Sequence, residues 1–366
     1  LRQEPNLLSP NHTSLHKPLK KRLSEFFAIA LICAISAIAI TKIIGDLTVY
    51  GEDNDAKRQQ MHTAILQNAP PEGKTWGELG ANNLNVRVAV VMVAEFLSAQ
   101  TEYPVDFIYR TIDLVCLFVG LIFVYYLLTQ WFSRPVALMG LLLFCTLLPF
   151  TMLDHYFHPW DRPMLLLWSS MIWATTQNRL VAFTLLYALA VVVKLDAILA
   201  VGMVWFARVR FDDWIRPTMI AAAIAVLGAL VLGALVLLFP GGQEPIDIAA
   251  QLKRNFDVSM SRGAAYPPLL VHGSLFLLGL LGWKFAVSAL KRLWLFGLVL
   301  LIPHLLLTNF VEVRAQVGTV LCMLPLAIYG LLSACGATNL ANPANAEASE
   351  SGRPSSDAPT SRQIAG

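Results

Sequence analysis

Ten apolar runs, each set off from the next by polar or basic residues, constrain this chain more than any other feature. Backbone buried in hydrocarbon must satisfy its own hydrogen bonds, so an apolar run of about 20 residues crosses a bilayer as a helix. The runs cover residues 26–44, 112–131, 135–153, 164–176, 180–193, 197–206, 218–239, 269–290, 293–307 and 317–333. Three in the middle, 164–176, 180–193 and 197–206, are short. They read either as half-spanning helices or as one pair divided too finely. Composition agrees: 56% of the residues are apolar and 14% charged, against roughly 45–50% and about 25% in soluble domains. One soluble core could not absorb that surplus, which excludes a soluble enzyme and a disordered scaffold. The sequence predicts an all-α polytopic membrane protein with about ten transmembrane helices. A net charge of +3 is too small to suggest nucleic acid as a partner. The cysteines stand singly, without a CxxC pair, so neither a disulfide framework nor a thiolate metal site is indicated.

Orientation follows from the short basic connectors. The stretch HKPLKKR before the first run resembles the start of a signal peptide. The run itself is long and lacks a clear cleavage site, so it reads as an uncleaved anchor, with a cleaved signal peptide as the alternative. A cytoplasmic N-terminus places Arg2, Lys17, Lys20, Lys21, Arg22, Arg134, Arg179, Arg208, Arg210, Arg216, Lys291 and Arg292 inside, and the alternation stays in phase through all ten runs. The expected organisation is a basic cytoplasmic segment (1–23), a membrane domain (24–335) with outer loops at 45–106 and 240–267, and a disordered cytoplasmic tail (336–366). The tail is rich in Ala, Ser, Pro and Asn.

On this topology the acids concentrate outside, and each short outer link pairs opposite charges: Asp161 with Arg162, Lys194 with Asp196, Glu312 with Arg314. Ionisable groups at helix ends near lipid are costly and call for a partner or a watery cavity. Taken singly they also read as interfacial anchors; taken together they predict one polar cavity open to the outside. The first outer loop predicts two surface helices. One spans about 56–67, with Asp53 or Asn54 as N-cap, Asp55 in its first turn, and Met61, Ile65 and Leu66 facing the membrane. The other spans about 86–99. Such a loop makes a covered groove suited to a substrate that is half lipid.

Transfer of a sugar from a lipid phosphate to a hydroxyl needs a general base, cations for the leaving phosphate and an apolar groove. The base candidates are Asp55 and Asp53, and the phosphate-binding candidates are Arg58, Arg162, Lys194 and Arg314. His155, His158, Asp161, Asp196 and Glu312 are candidate cavity or acceptor-binding residues. In DHYFHPWDRP, Asp154, His155, His158 and Asp161 have a spacing that can hold Mg, Mn or Zn, although hydrogen bonding or substrate contact suits them better. No cofactor beyond such a divalent cation is implied. His272 and His304 lie toward the outer ends of their runs and read as satisfied core histidines or as cavity lining.

The layout resembles the GT-C fold of integral membrane glycosyltransferases. HPWDRPMLLLWSSMIWAT and VVVKLDAILAVGMVWFA are similar to recurring segments of bacterial members, and VEVRAQVGTVLCMLPLAIYG resembles their late Glu-x-Arg segment. The resemblance covers about 23–333. The first loop departs from it in lacking the Arg-acid-Glu start, and Pro70-Pro71 lies in another context than the family's Pro-Pro-Leu element. The resemblance implies a polyprenyl-phosphate-linked sugar donor, an inner-membrane location, a cell-envelope glycan, lipid or protein acceptor, and Asp55 as base with Asp53 beside it. Membrane lipids and subunits of an envelope glycan pathway are the other implied partners. The alternatives are a polysaccharide polymerase or ligase, favoured by Lys253, Arg254 and Arg262 in the second outer loop, and a transporter or flippase, disfavoured because no internal repeat is visible.

Overall fold

A computed structural model describes residues 19–47, 51–74, 87–151, 158–209, 213–239, 248–261, 269–307 and 316–337. These residues form helices joined by short turns, with no strand among them. The helices are α1 (Leu19–Leu47), α2 (Gly51–Gln67), α3 (Val88–Thr101), α4 (Val105–Leu128), α5 (Arg134–Thr151), α6 (Asp161–Thr176) and α7 (Leu180–Val193). A 3-10 turn (Leu195–Ala200) then leads into α8 (Val201–Arg208), followed by α9 (Ile215–Leu238) and α10 (Ile248–Ser261). A π-helical turn (Leu269–Gly273) opens α11 (Ser274–Gly282), and α12 (Ser288–Leu307) and α13 (Val317–Ala334) complete the bundle.

Five of these helices are long and apolar enough to cross a membrane: Leu23–Ile44 within α1, α4, α9, Ser288–Leu306 within α12, and α13. Outward faces of the spanning helices α1 and α9, and of the shorter apolar helix α7, carry rows of large apolar side chains at helical spacing. Phe27, Leu31, Ile35 and Ile38 line α1; Val181, Leu185 and Leu189 line α7; Met219, Val226, Leu230 and Leu237 line α9. Contiguous apolar faces of this extent are not stable against water, and lipid is the medium that covers them. The chain is an all-α protein embedded in a membrane.

Helix α13 is the axis of the bundle, buried along almost its whole length. Its closest neighbour is α11, and small residues permit the approach. A Cβ added at Gly330 would fall on the Leu278 carbonyl, and one at Gly282 would lie 2.5 Å from both Gly330 N and Leu326 O. Close backbone contact of this kind substitutes for the hydrophobic drive that lipid removes. Gly120 of α4 packs on Leu165 of α6, and Phe123 meets Trp173 at 6.3 Å, so these helices run in the same direction. Helix α1 runs opposite to them. Its Glu25 pairs with Arg134 at one end of the bundle and its Thr41 meets Arg162 at the other.

The first end also joins Arg208 to Asn178 at 2.7 Å and Arg292 to the Ala207 carbonyl at 3.3 Å, while Arg179 lies over Trp173 and Lys291 over Trp283. The basic connectors thus meet polar or aromatic partners at helix termini.

Several boundaries differ from those read in the sequence. Helix α2 starts at Gly51, five residues before the expected start, so Asp53 and Asn54 are helical and not caps. Helix α4 starts at Val105, because Pro104 supplies its N-cap, and this brings Asp106, Tyr109 and Asp113 into the helix. The expected run 269–290 is broken by turns after Gly282. Helix α10 was not expected at all. Its Asn255 is buried and donates to the Leu305 carbonyl at 2.8 Å, one of the carbonyls left open at the end of α12. Its Ile248, Leu252 and Phe256, spaced by four, form an exposed apolar stripe.

Candidate functional site: a buried charge cluster at one end of the bundle

Helix α2 packs on α3 and on the first half of α4. Its inner face carries Arg58, Met61, His62 and Ile65, at helical positions i, i+3, i+4 and i+7. Sequence periodicity puts Leu66 with Met61 and Ile65 on the apolar side of this helix and leaves Arg58, with Lys57 and Gln60, off it. The structure reverses both, burying Arg58 and exposing Leu66. The reason is the partner surface. Helix α4 offers polar groups there, and Arg58 Nη2 lies 3.5 Å from Asp113 Oδ2, both side chains under a tenth exposed. The Arg58 guanidinium also lies over the Tyr109 ring, 5.5 Å from its centroid.

The α6 N-terminus supplies the next two charges. Asp161 and Arg162 are both buried. Arg162 Nη1 lies 3.5 Å from Thr41 Oγ1 of α1. Asp161 turns the other way and accepts from Lys194 Nζ at 3.3 Å. Lys194 follows the last residue of α7, and its backbone leaves the helix in extended conformation. From there its ammonium also reaches Asp196 Oδ2 at 3.4 Å. Asp196 Oδ1 is buried and accepts no hydrogen bond among the described residues. His304 near the end of α12, His272 in the π turn and Gln316 before α13 are also buried.

The result is a buried polar seam in two parts, the Arg58–Asp113 pair of α2 and α4 and the Asp161–Lys194–Asp196 group of α6 and the α7–α8 link, with Arg162 next to Asp161 in sequence. Of the expected phosphate-binding residues Arg58, Arg162 and Lys194 are all buried, each on its own partner, and of the expected cavity residues Asp161 and Asp196 share Lys194. Charges buried this deeply are costly to desolvate, and reciprocal pairing is what makes the arrangement stable. Such groups are also fixed before any ligand arrives, which is what stabilising developing charge requires.

His158 is buried and stacks on Trp160 with centroids 5.1 Å apart, and Arg87 lies over the same indole at 4.9 Å. Among the described residues no group of three or more His, Cys, Asp or Glu side chains is arranged to hold a metal ion. Asp154 and His155, and likewise Glu312, Arg314 and Arg262, lie outside the described residues. Asp53 and Asp55 are described only as helical backbone, and their side chains lie outside the described set. Asp55 precedes Arg58 by three positions and His62 by seven, so the three share one face of α2. Lys253 and Arg254 are exposed on α10, Lys253 pairing with Asp257 at 3.4 Å.

The sequence reading missed Asp113, Tyr109, His62 and Glu95. His62 Nδ1 and Tyr109 Oη are 2.7 Å apart, and His62 Nε2 lies 3.0 Å from Glu95 Oε2 on α3. Asp113 carried a legible signal, since a lone acid inside a spanning helix is a functional candidate by default. His62 carried none, because its partners lie on other helices. Comparisons of the chain with protein-family models, with curated proteins and with solved structures each returned no match.

Proposed function

We propose that this protein is an inner-membrane glycosyltransferase of GT-C type, with about ten membrane spans, that moves a sugar from a polyprenyl-phosphate donor to an acceptor hydroxyl on the outer face. The observation that carries the reading is that Arg58, Arg162 and Lys194, from separate stretches of the chain, are each buried and each held on a polar partner within an otherwise apolar bundle. Planar guanidinium groups hold phosphate oxygens in pairs, and the ammonium adds a compact charge. The apolar outer surfaces of the bundle suit an isoprenoid tail. The acceptor oxygen bonds to the anomeric carbon as the sugar–phosphate bond breaks, and the phosphate leaves with the bonding electrons. Asp55, on the same face of α2 as Arg58, is the base that takes the hydroxyl proton, with Asp53 as its neighbour.

The test is turnover of polyprenyl-phosphate sugars, hexose and pentose, by purified protein in lipid nanodiscs, read as release of polyprenyl phosphate. Wild-type protein releases it from at least one donor in the presence of membrane acceptor, and Asp55→Asn does not, although its abundance and melting are unchanged. Release by Asp55→Asn at the wild-type rate removes Asp55 from the mechanism. No release from any donor by the wild type removes the reading.

A further inference from the structure

Each turnover on this reading frees one proton inside a buried site. Beside the Arg58–Asp113 pair, a hydrogen-bonded chain of three side chains leads to the surface. Tyr109 is almost wholly buried, and its ring lies under Arg58. Its hydroxyl meets His62 Nδ1 at 2.7 Å; His62 Nε2 meets Glu95 Oε2 at 3.0 Å; and the Glu95 side chain is 52% exposed. The three groups come from α4, α2 and α3, so the route runs outward from α4 through α2 to α3. A carboxylate that orients an imidazole, which in turn bonds a hydroxyl, is an arrangement suited to moving protons.

We propose that Tyr109, His62 and Glu95 form a proton-exit relay for the charged cluster, resting on the glycosyl-transfer reading above. The tautomer this requires has the proton on Nε2, with Nδ1 accepting from the Tyr109 hydroxyl. As a proton arrives at Tyr109 Oη from the cluster, the phenol's own proton passes to Nδ1, and the Nε2 proton passes to Glu95 Oε2 and on to water. One proton enters and one leaves, and no electrons change hands. A flip of the imidazole restores the starting tautomer. Glu95 serves as both orienting group and exit.

The bland role for the same contacts is a clamp that seats α2 on α4, and the two roles give different results. Tyr109→Phe keeps the ring under Arg58 and removes only the hydroxyl. His62→Ala opens a path from the exposed Glu95 side for small molecules. With the polyprenyl-phosphate sugar that the wild type turns over, Tyr109→Phe lowers kcat by roughly 100-fold, the scale of a lost proton-transfer group. Its KM and its binding of polyprenyl phosphate stay within about twofold of wild type. His62→Ala loses kcat similarly and regains it when imidazole is added to the buffer. Two results overturn the relay: Tyr109→Phe turning over at the wild-type rate, or loss of polyprenyl-phosphate binding in parallel with kcat, which marks a clamp. If His62→Ala does not fold, Glu95→Gln replaces it. That variant lowers kcat with unchanged KM under a relay and leaves kcat untouched under a clamp. A wild type that turns over no donor overturns the glycosyl-transfer reading itself, and the relay with it.

Discussion

Removing the carboxylate of Asp113 tests whether the buried charges hold one another in place. The Arg58–Asp113 contact is 3.5 Å, with side-chain exposures of 6% and 8%. At an effective dielectric constant near 20, unit charges at that separation attract by roughly 5 kcal/mol, before desolvation is subtracted. Losing one partner of such a pair costs roughly 3–5 kcal/mol, because the other charge stays buried. In a chain of 366 residues each kcal/mol shifts melting by about 1.3 °C, so Asp113→Asn lowers the melting temperature by roughly 4–7 °C. Reaction of newly exposed thiols with a fluorogenic dye reads the transition, since Cys33, Cys145 and Cys322 are buried in the native fold. Replacing both partners, with Arg58→Met and Asp113→Leu together, recovers most of the loss, because neither charge remains to be desolvated. Melting of Asp113→Asn within about 1 °C of wild type refutes the reasoning. So does a double variant whose loss equals the sum of the two single losses, since that denies the coupling.

Gly330→Ala places a methyl on the Leu278 carbonyl and separates α11 from α13, so folded protein recovered from membranes falls steeply, as measured by size-exclusion profile. Gly233→Ala meets nothing within 4 Å and replaces a helical glycine, so it leaves melting unchanged or raises it by about 1 kcal/mol equivalent. Asn255→Ala leaves a carbonyl of α12 open and frees α10, at a cost of about 1–3 kcal/mol. Its signature is faster limited proteolysis between residues 240 and 268, with cleavage elsewhere unchanged. Lys194→Met leaves Asp161 and Asp196 buried without their shared cation, and its melting falls further than that of Asp196→Asn, which keeps the Lys194–Asp161 contact.

The apolar runs were legible because lipid imposes one requirement on every segment, and residue type alone reports it. The meeting of charges at one end was legible in part. Asp161, Arg162, Lys194 and Asp196 sit in short links that the alternation sends to the same end, and they meet there. Arg58 was legible as a cation but not as an interior one. On α2 alone the stripe of Met61 and Ile65 has no reason to include a guanidinium, and the reason, Asp113 and Tyr109, lies about fifty residues away on α4. His62 was hidden for the same cause. Helix α10 is different, since Ile248, Leu252 and Phe256 carry its period openly. Flanking Pro and Gly and the short length of the stripe made it look like loop.

Native mass spectrometry of the nanodisc-purified protein, challenged with a polyprenyl phosphate and with the matching polyprenol, asks directly whether the seam grips phosphate. The wild type retains the phosphorylated lipid and not the alcohol, and Arg162→Gln and Lys194→Gln each weaken that retention at least tenfold while the protein stays folded. Equal retention of both lipids, or phosphate retention indifferent to both substitutions, contradicts the account.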